Sequence, residues 1–318
     1  MKTPVTEYSA ESDRTPERPL FALLLLFVVP LVFGALMAPQ MVRLLEWLSQ
    51  YVNLGPHFTD PRFKRVLSRC VMLIAMALLY PAVRLSGIRH WSTLGWAAAP
   101  RGRWRPVAAW FAAGAISMAV AYLLSDLAGA LYFNPRSTHL ATTAAKWASR
   151  FVGAMLIGIL EETFFRGYLF GMLRRRLHLV GAVASAAFLF AIVHFARPVE
   201  PAGLDPRHWA AGFQLLPHIA DGIQPQYAAP MFVNLFLMGM LLCLLYDHFG
   251  TIYAVVGLHA GWVWAQGAGT YLFDRAEDGR LWELFGASET LSMTWAGTLL
   301  LAVFMAGALV LRACRSKR

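Results

Sequence analysis

The sequence predicts an all-α, polytopic integral membrane protein of about eight transmembrane helices, on three observations. Hydrophobic residues make up 58% of the 318-residue chain and charged residues only 14%, outside the range of a soluble domain or a disordered chain. Apolar runs near the roughly 20 residues needed to cross hydrocarbon recur along the chain. The basic residues behind the net charge of +10 gather in short clusters at the ends of those runs. That distribution suits a lipid bilayer as partner and argues against nucleic acid.

Residues 1–19 mix both signs of charge without an apolar run and read as a disordered cytoplasmic tail, leaving 20–318 as a single multi-helix membrane domain. Leu20 to Ala38 is the first span, longer than the apolar core of a cleaved signal peptide. Met41 to Val52 sets Leu44, Leu45, Trp47 and Leu48 against Arg43, Glu46 and Gln50, the pattern of a separate helix lying at the interface. Val66 to Leu85 is the second span. The connection behind it carries Arg84, Arg89, Arg101, Arg103 and Arg105 without an acid, which places it in the cytoplasm. Val107 to Phe133 and Trp147 to Leu173 follow, the latter ending at Arg174-Arg175-Arg176, and Val180 to Phe195 is the fifth span. Residues 197–227, rich in Pro and Gly with an apolar patch around Phe213 to Ile219, read as an external loop that dips into the interface. Met231 to Tyr246, Ile252 to Leu272 and Leu291 to Leu311 complete the count, with Arg312, Arg315, Lys317 and Arg318 behind the last. Eight crossings put both termini and all three basic clusters on the cytoplasmic side, as in a multi-pass protein of a bacterial inner membrane.

Within the fourth span stands Glu161-Glu162-Thr163-Phe164-Phe165-Arg166. Each such group costs at least about 2.5–3.5 kcal/mol to place in hydrocarbon, so three within six positions mark a functional site. On a helix Glu162 and Arg166 share a face at i and i+4, whereas Glu161 is turned away by about 100°. Arg166 therefore neutralises Glu162 and leaves Glu161 available. His194, near the end of the fifth span, and His259, set among small residues in Gly257-Leu258-His259-Ala260-Gly261-Trp262, are the other intramembrane candidates. Phe190 and Trp262 flank them as substrate-contacting aromatics. Asp126 and Asp247 read as residues near the headgroups. Cys70, Cys243 and Cys314 lack the paired spacing of a metal or redox site and read as small hydrophobes.

One carboxylate and two imidazoles converging in a damp cavity suffice to hydrolyse an amide. A carboxylate in low dielectric beside a second one can take a proton from water and return it to the leaving amine, while an imidazole donor stabilises the oxyanion. This route needs no cofactor. The same Glu161, His194 and His259 could instead hold Zn²⁺ with an open position for water. Neither His-Glu-x-x-His nor Gly-x-Ser-x-Gly occurs. A proton-coupled transporter fits less well, because no matching pair of broken half-helices is evident.

Taken together, Glu161-Glu162-x-x-x-Arg166, Phe190-x-x-x-His194 and His259 on a later helix resemble the three-motif pattern of the CPBP family, the CAAX-protease and bacteriocin-processing intramembrane glutamic endopeptidases that include the Rce1-type prenyl protease. The resemblance covers roughly residues 146–270 and implies an eight-helix membrane fold. It implies Glu161 as general base, His194 as a second group activating water, and His259 as part of an oxyanion hole. The implied activity is cleavage of membrane-associated protein or peptide substrates by glutamate-activated water. Nothing in the sequence indicates prenylated substrates. The third motif departs from the family's common His-x-x-x-Asn, since Val263 stands four residues past His259. Asn234 on the sixth span is the nearest replacement by type and location, with a helix–helix hydrogen bond as its other reading. That departure also leaves open a non-catalytic scaffold on the same fold.

Counting about 1.5 Å per residue from the expected cytoplasmic edges puts Glu161 near 20 Å, His194 near 25 Å and His259 near 12 Å. For them to meet, helices must tilt, shift or start elsewhere.

Overall fold

The computed structural model describes residues 19–52, 62–88, 90–96, 104–136, 139–276, 290 and 293–316. The expected tail up to residue 18, the connecting Arg89, Arg101 and Arg103, and the start of the last span at Leu291 lie outside the described residues. So do the side chains of Arg312, Cys314, Arg315, Lys317 and Arg318.

In chain order the elements are α1 (Pro19–Ser49), α2 (Phe63–Leu85), α3 (Trp104–Leu127), β1 (Leu131–Phe133), α4 (Leu140–Glu162), α5 (Leu179–Val193), α6 (Ala211–Leu215), α7 (Pro225–Phe249), α8 (Tyr253–Leu272), β2 (Phe273–Arg275) and α9 (Trp295–Ser316). Helix α4 runs on through a π-helix, Thr163–Phe170, and a last turn, Gly171–Arg174. The fold is all-α apart from the short antiparallel β1–β2 pair, which joins the ends of α3 and α8 and which the sequence reading did not foresee.

Among the described residues, four segments are long and apolar enough to cross a membrane: Leu25–Ser49, Phe63–Leu85, Trp104–Leu127 and Pro225–Phe249. Leu179–Val193 and Trp295–Val310 are apolar but shorter. Ile116, Leu123 and Val303 are exposed on the helix surfaces, as the apolar exterior of a multi-pass membrane protein requires.

The chain divides into two compact units. The smaller takes its described residues from α1, α2 and the segment His194–Gln224. Its core joins Ala35, Ala38 and Val42 of α1 to Phe63, Val66, Leu67 and Cys70 of α2 and to Ala211 and Leu215 of α6. A side chain at Gly34 would meet Val71 at 2.5 Å, so glycine sets the distance between α1 and α2. One expectation is corrected here. Residues 41–49 continue α1 rather than forming a separate interfacial helix, even though Pro30 and Pro39 each remove an internal hydrogen bond. Their polar face is occupied, because Glu46 accepts from Arg207 Nε at 3.0 Å and Arg43 Nη2 donates to the Arg207 carbonyl at 2.8 Å. The Glu46 carboxylate raises the Arg207 guanidinium above its ordinary pKa. Within the apolar patch near Phe213, Leu215 packs in the core with α1 and α2.

The larger unit holds His90–Val193 and Pro225–Arg318. Its cluster draws on Tyr122, Phe170, Val183, Leu241, Tyr246, Leu258 and Trp262. Helix α3 stops at Leu127 rather than near Phe133 because Gly129 (φ 72°) closes it, with Gly129 N–H donating to Asp126 O and Ala130 N–H to Ser125 O. Asp126 therefore stands at a helix end. Asp247 is likewise placed near the end of α7, with Arg174 Nε 3.8 Å from its Oδ1.

Candidate active site

The adjacent carboxylates occupy the junction where α4 gives way to the π-helix. Single π turns occur frequently at functional sites, and here the wider winding extends over eight residues. Two outside contacts hold it. Trp96 Nε1 donates to Thr163 Oγ1 at 3.1 Å, and Thr163 Oγ1 in turn donates to Ile159 O at 2.6 Å. At Gly167 the backbone of Leu94 comes so close that an added Cβ would sit 2.7 Å from the Leu94 carbonyl oxygen. The 3₁₀ turn Trp91–Leu94 thus rests directly on the widened helix.

Helix α8 brings His259 to this junction. Its Gly257 and Gly261 face α3 so closely that neither tolerates a Cβ against the Val107 and Phe111 carbonyls, and a Cβ at Gly114 would meet Leu258 O at 2.5 Å. Small residues spaced by four let helix backbones touch, and dispersion then does what hydrophobicity cannot do in lipid. Toward α4, Gly158 lies against Val256 and Ala260. His259 is therefore fixed from two sides.

Its imidazole bridges both carboxylates. His259 Nδ1 lies 2.6 Å from Glu162 Oε1, and Nε2 lies 4.0 Å from Glu161 Oε2. An ionised carboxylate only accepts, so the proton of this hydrogen bond sits on Nδ1 and the ring turns Nε2 toward Glu161. Arg166 Nη1 also donates to Glu162 Oε1, at 2.7 Å. Glu162 is fully buried and its charge is matched by the equally buried Arg166, whereas 31% of the Glu161 side chain is exposed. The two acids thus differ in kind: one is locked in a buried pair, the other reaches the surface of the cluster.

Phe190 of α5 forms the wall behind this cluster. It is fully buried, with the Arg166 guanidinium 4.5 Å from its ring centre and the Phe165 and His259 rings edge-on at 5.0 and 6.1 Å. A guanidinium over an aromatic face is stabilised without a hydrogen bond. Trp262 is 3% exposed, donates to Ser117 Oγ at 3.1 Å and stacks edge-on with Phe304. Both aromatics, expected at the substrate, are buried packing groups.

The structure thus gathers Glu161, Glu162, Arg166, Phe190 and His259 in the larger unit. His194 falls in the other unit, in the turn directly after α5. Asn234 is engaged between helices: its Nδ2 donates to Thr294 O at 2.8 Å, and Thr298 Oγ1 donates to its Oδ1 at 2.7 Å. This is the helix–helix reading of that residue. Among the described residues no three His, Cys, Asp or Glu side chains stand where they could share a metal ion. The π-helix, its Trp96 clamp and the pairing of His259 with Glu162 rather than with Glu161 alone had no signal in the sequence.

In a comparison with protein-family models, residues 143–265 match the family described as type II CAAX prenyl endopeptidase Rce1-like. No curated protein and no solved structure matches the chain.

Proposed function

We propose that this chain cleaves membrane-associated proteins or peptides with water activated by Glu161, without a covalent intermediate, a reading supported by the match of residues 143–265 to the Rce1-like endopeptidase family. The observation behind this reading is the imidazole held between two unlike carboxylates, Nδ1 at 2.6 Å from buried Glu162 and Nε2 at 4.0 Å from accessible Glu161.

Glu161 takes a proton from water as the water oxygen bonds to the scissile carbonyl carbon. The negative charge that forms on the carbonyl oxygen is met by the Nε2–H of His259. This role requires the His259 ring to enter the step with a proton on each nitrogen, Nδ1–H toward Glu162 and Nε2–H toward the oxyanion. As the tetrahedral carbon collapses, the C–N bond breaks and Glu161 returns its proton to the leaving amine. Glu162 and Arg166 are positioning residues, since they touch His259 and each other rather than the reacting atoms. His194 is assigned to the same water by the motif resemblance. The oxyanion hole has no asparagine at position 263, and His259 carries that role here.

The test is processing of co-expressed candidate membrane substrates by the wild type, Glu161→Ala and Glu161→Gln at matched expression. Both variants should abolish cleavage, and a chelator should leave the wild type active. Wild-type protein that cleaves nothing, with variants that keep the cellular phenotype, would put a scaffold in place of an enzyme.

A further inference from the structure

The smaller unit contains a cavity of about 550 Å³ at the start of α2. Four cations line it: Lys64, Arg65 and Arg69 from the first two turns of the helix, and Arg197 from the segment after α5, with the Ser68 hydroxyl among them. Arg65 and Arg69 stand at i and i+4, a like-charge spacing that destabilises a helix on its own. Among the described residues none of the four side chains makes an ion pair.

Among the unit's described acids, Glu200 stands at the pocket's edge on the Lys64 backbone and the others are committed elsewhere. Glu200 Oε1 accepts from the Lys64 backbone N–H at 2.8 Å, Glu46 holds Arg207, Asp205 accepts from the Arg207 backbone N–H, and Asp221 lies 2.7 Å from His218 Nδ1. Arg197 is not a swinging surface residue at its backbone. Gly222 N–H donates to its carbonyl at 2.9 Å, and a Cβ at Gly222 would meet that same oxygen at 2.5 Å. The four cations thus line an open depression of concentrated positive charge, with Arg65, Arg69 and Arg197 exposed along it. Guanidinium groups grip tetrahedral oxyanions through paired N–H donors.

We propose that this pocket binds a phosphate-bearing anion, either the headgroup of an anionic phospholipid or a soluble phosphate. The inference does not depend on the proteolytic reading.

The full-length protein, purified in nonionic detergent, would be titrated by calorimetry with inorganic phosphate and with dihexanoyl phosphatidylglycerol. Saturable binding of the lipid alone identifies a headgroup site, and saturable binding of phosphate as well identifies the phosphate itself as the ligand. In either case Arg69→Gln and Arg197→Gln should each weaken binding at least about tenfold. Arg84→Gln, at the far end of α2, should not. Unfolding temperatures without ligand would show that all three variants are folded. The proposal is overturned if neither probe binds saturably, or if the two pocket variants bind as the wild type does.

Discussion

At the scale of single residues, the two neighbouring glutamates separate cleanly by what surrounds them. Glu162 is buried against Arg166 and His259, so Glu162→Gln leaves a buried guanidinium without its counter-charge, a loss of about 3–5 kcal/mol of stability. Glu161 is partly exposed, and Glu161→Gln should unfold at the wild-type temperature while losing about 10²–10⁴-fold in cleavage rate, the range of a general base. Thermal unfolding and substrate cleavage measured on both variants check this, and equal destabilisation by the two would contradict the division of roles. Sequence spacing placed Glu162 with Arg166 on one helix face, because a four-residue offset is local information. It could not show that His259, 97 residues on, takes the same carboxylate oxygen. Asn234 carries a complementary expectation. Its amide ties α7 to Thr294 and Thr298, so Asn234→Ala should cost about 1–3 kcal/mol of stability and leave the cleavage rate per folded molecule unchanged. A specific loss of rate in the folded variant would return Asn234 to the oxyanion hole.

At the scale of elements, the geometry of the proposed site depends on how close α3 and α8 approach. Gly114, Gly257 and Gly261 form that contact with backbone against backbone, and no flexible side-chain end is available to yield. Gly261→Ala should therefore cost about 1–3 kcal/mol through overpacking and displace His259 from Glu162. Cleavage should fall by more than the loss of folded protein explains, and comparison with Gly153→Ala, where an added Cβ meets nothing within 4 Å, supplies the control. The helices themselves were legible because apolar length is written along the chain, and α2, α5 and α8 begin and end within a few residues of the predicted spans. What pattern could not show was continuity or local winding. Interior Pro30 and Pro39 suggest a break in α1, yet packing on α2 and α6 carries the helix through both. The π-helix follows from Trp96 and Leu94 pressing on Thr163 and Gly167, contacts between segments about 70 residues apart. That wider winding rises less per residue than an α-helix, and it draws Glu162 toward the Arg174 end of its helix.

At the scale of the whole molecule, the arrangement of charge along the chain makes a claim about membrane orientation. Arg105 stands in the first turn of α3, Arg174-Arg175-Arg176 close the α4 helix, and Lys317 and Arg318 follow α9. If eight helices cross, these three groups share one face, and the preference of cytoplasmic loops for Lys and Arg makes that face cytoplasmic. The segment between α5 and α7 then lies on the opposite face. Single cysteines in a cysteine-free background would test this, placed at Arg176 and Ser316 on one side and at Trp209 on the other. Trp209 is exposed and carries no internal role in the packing of α6. A membrane-impermeant maleimide applied to intact cells should label the cysteine of Trp209→Cys and spare the other two until the cells are opened. Labelling of Ser316→Cys from outside would mean an odd number of crossings between Arg176 and the C-terminal helix. That result would remove one of the helices outside the four long apolar segments, α5, α8 or α9, from the set that spans.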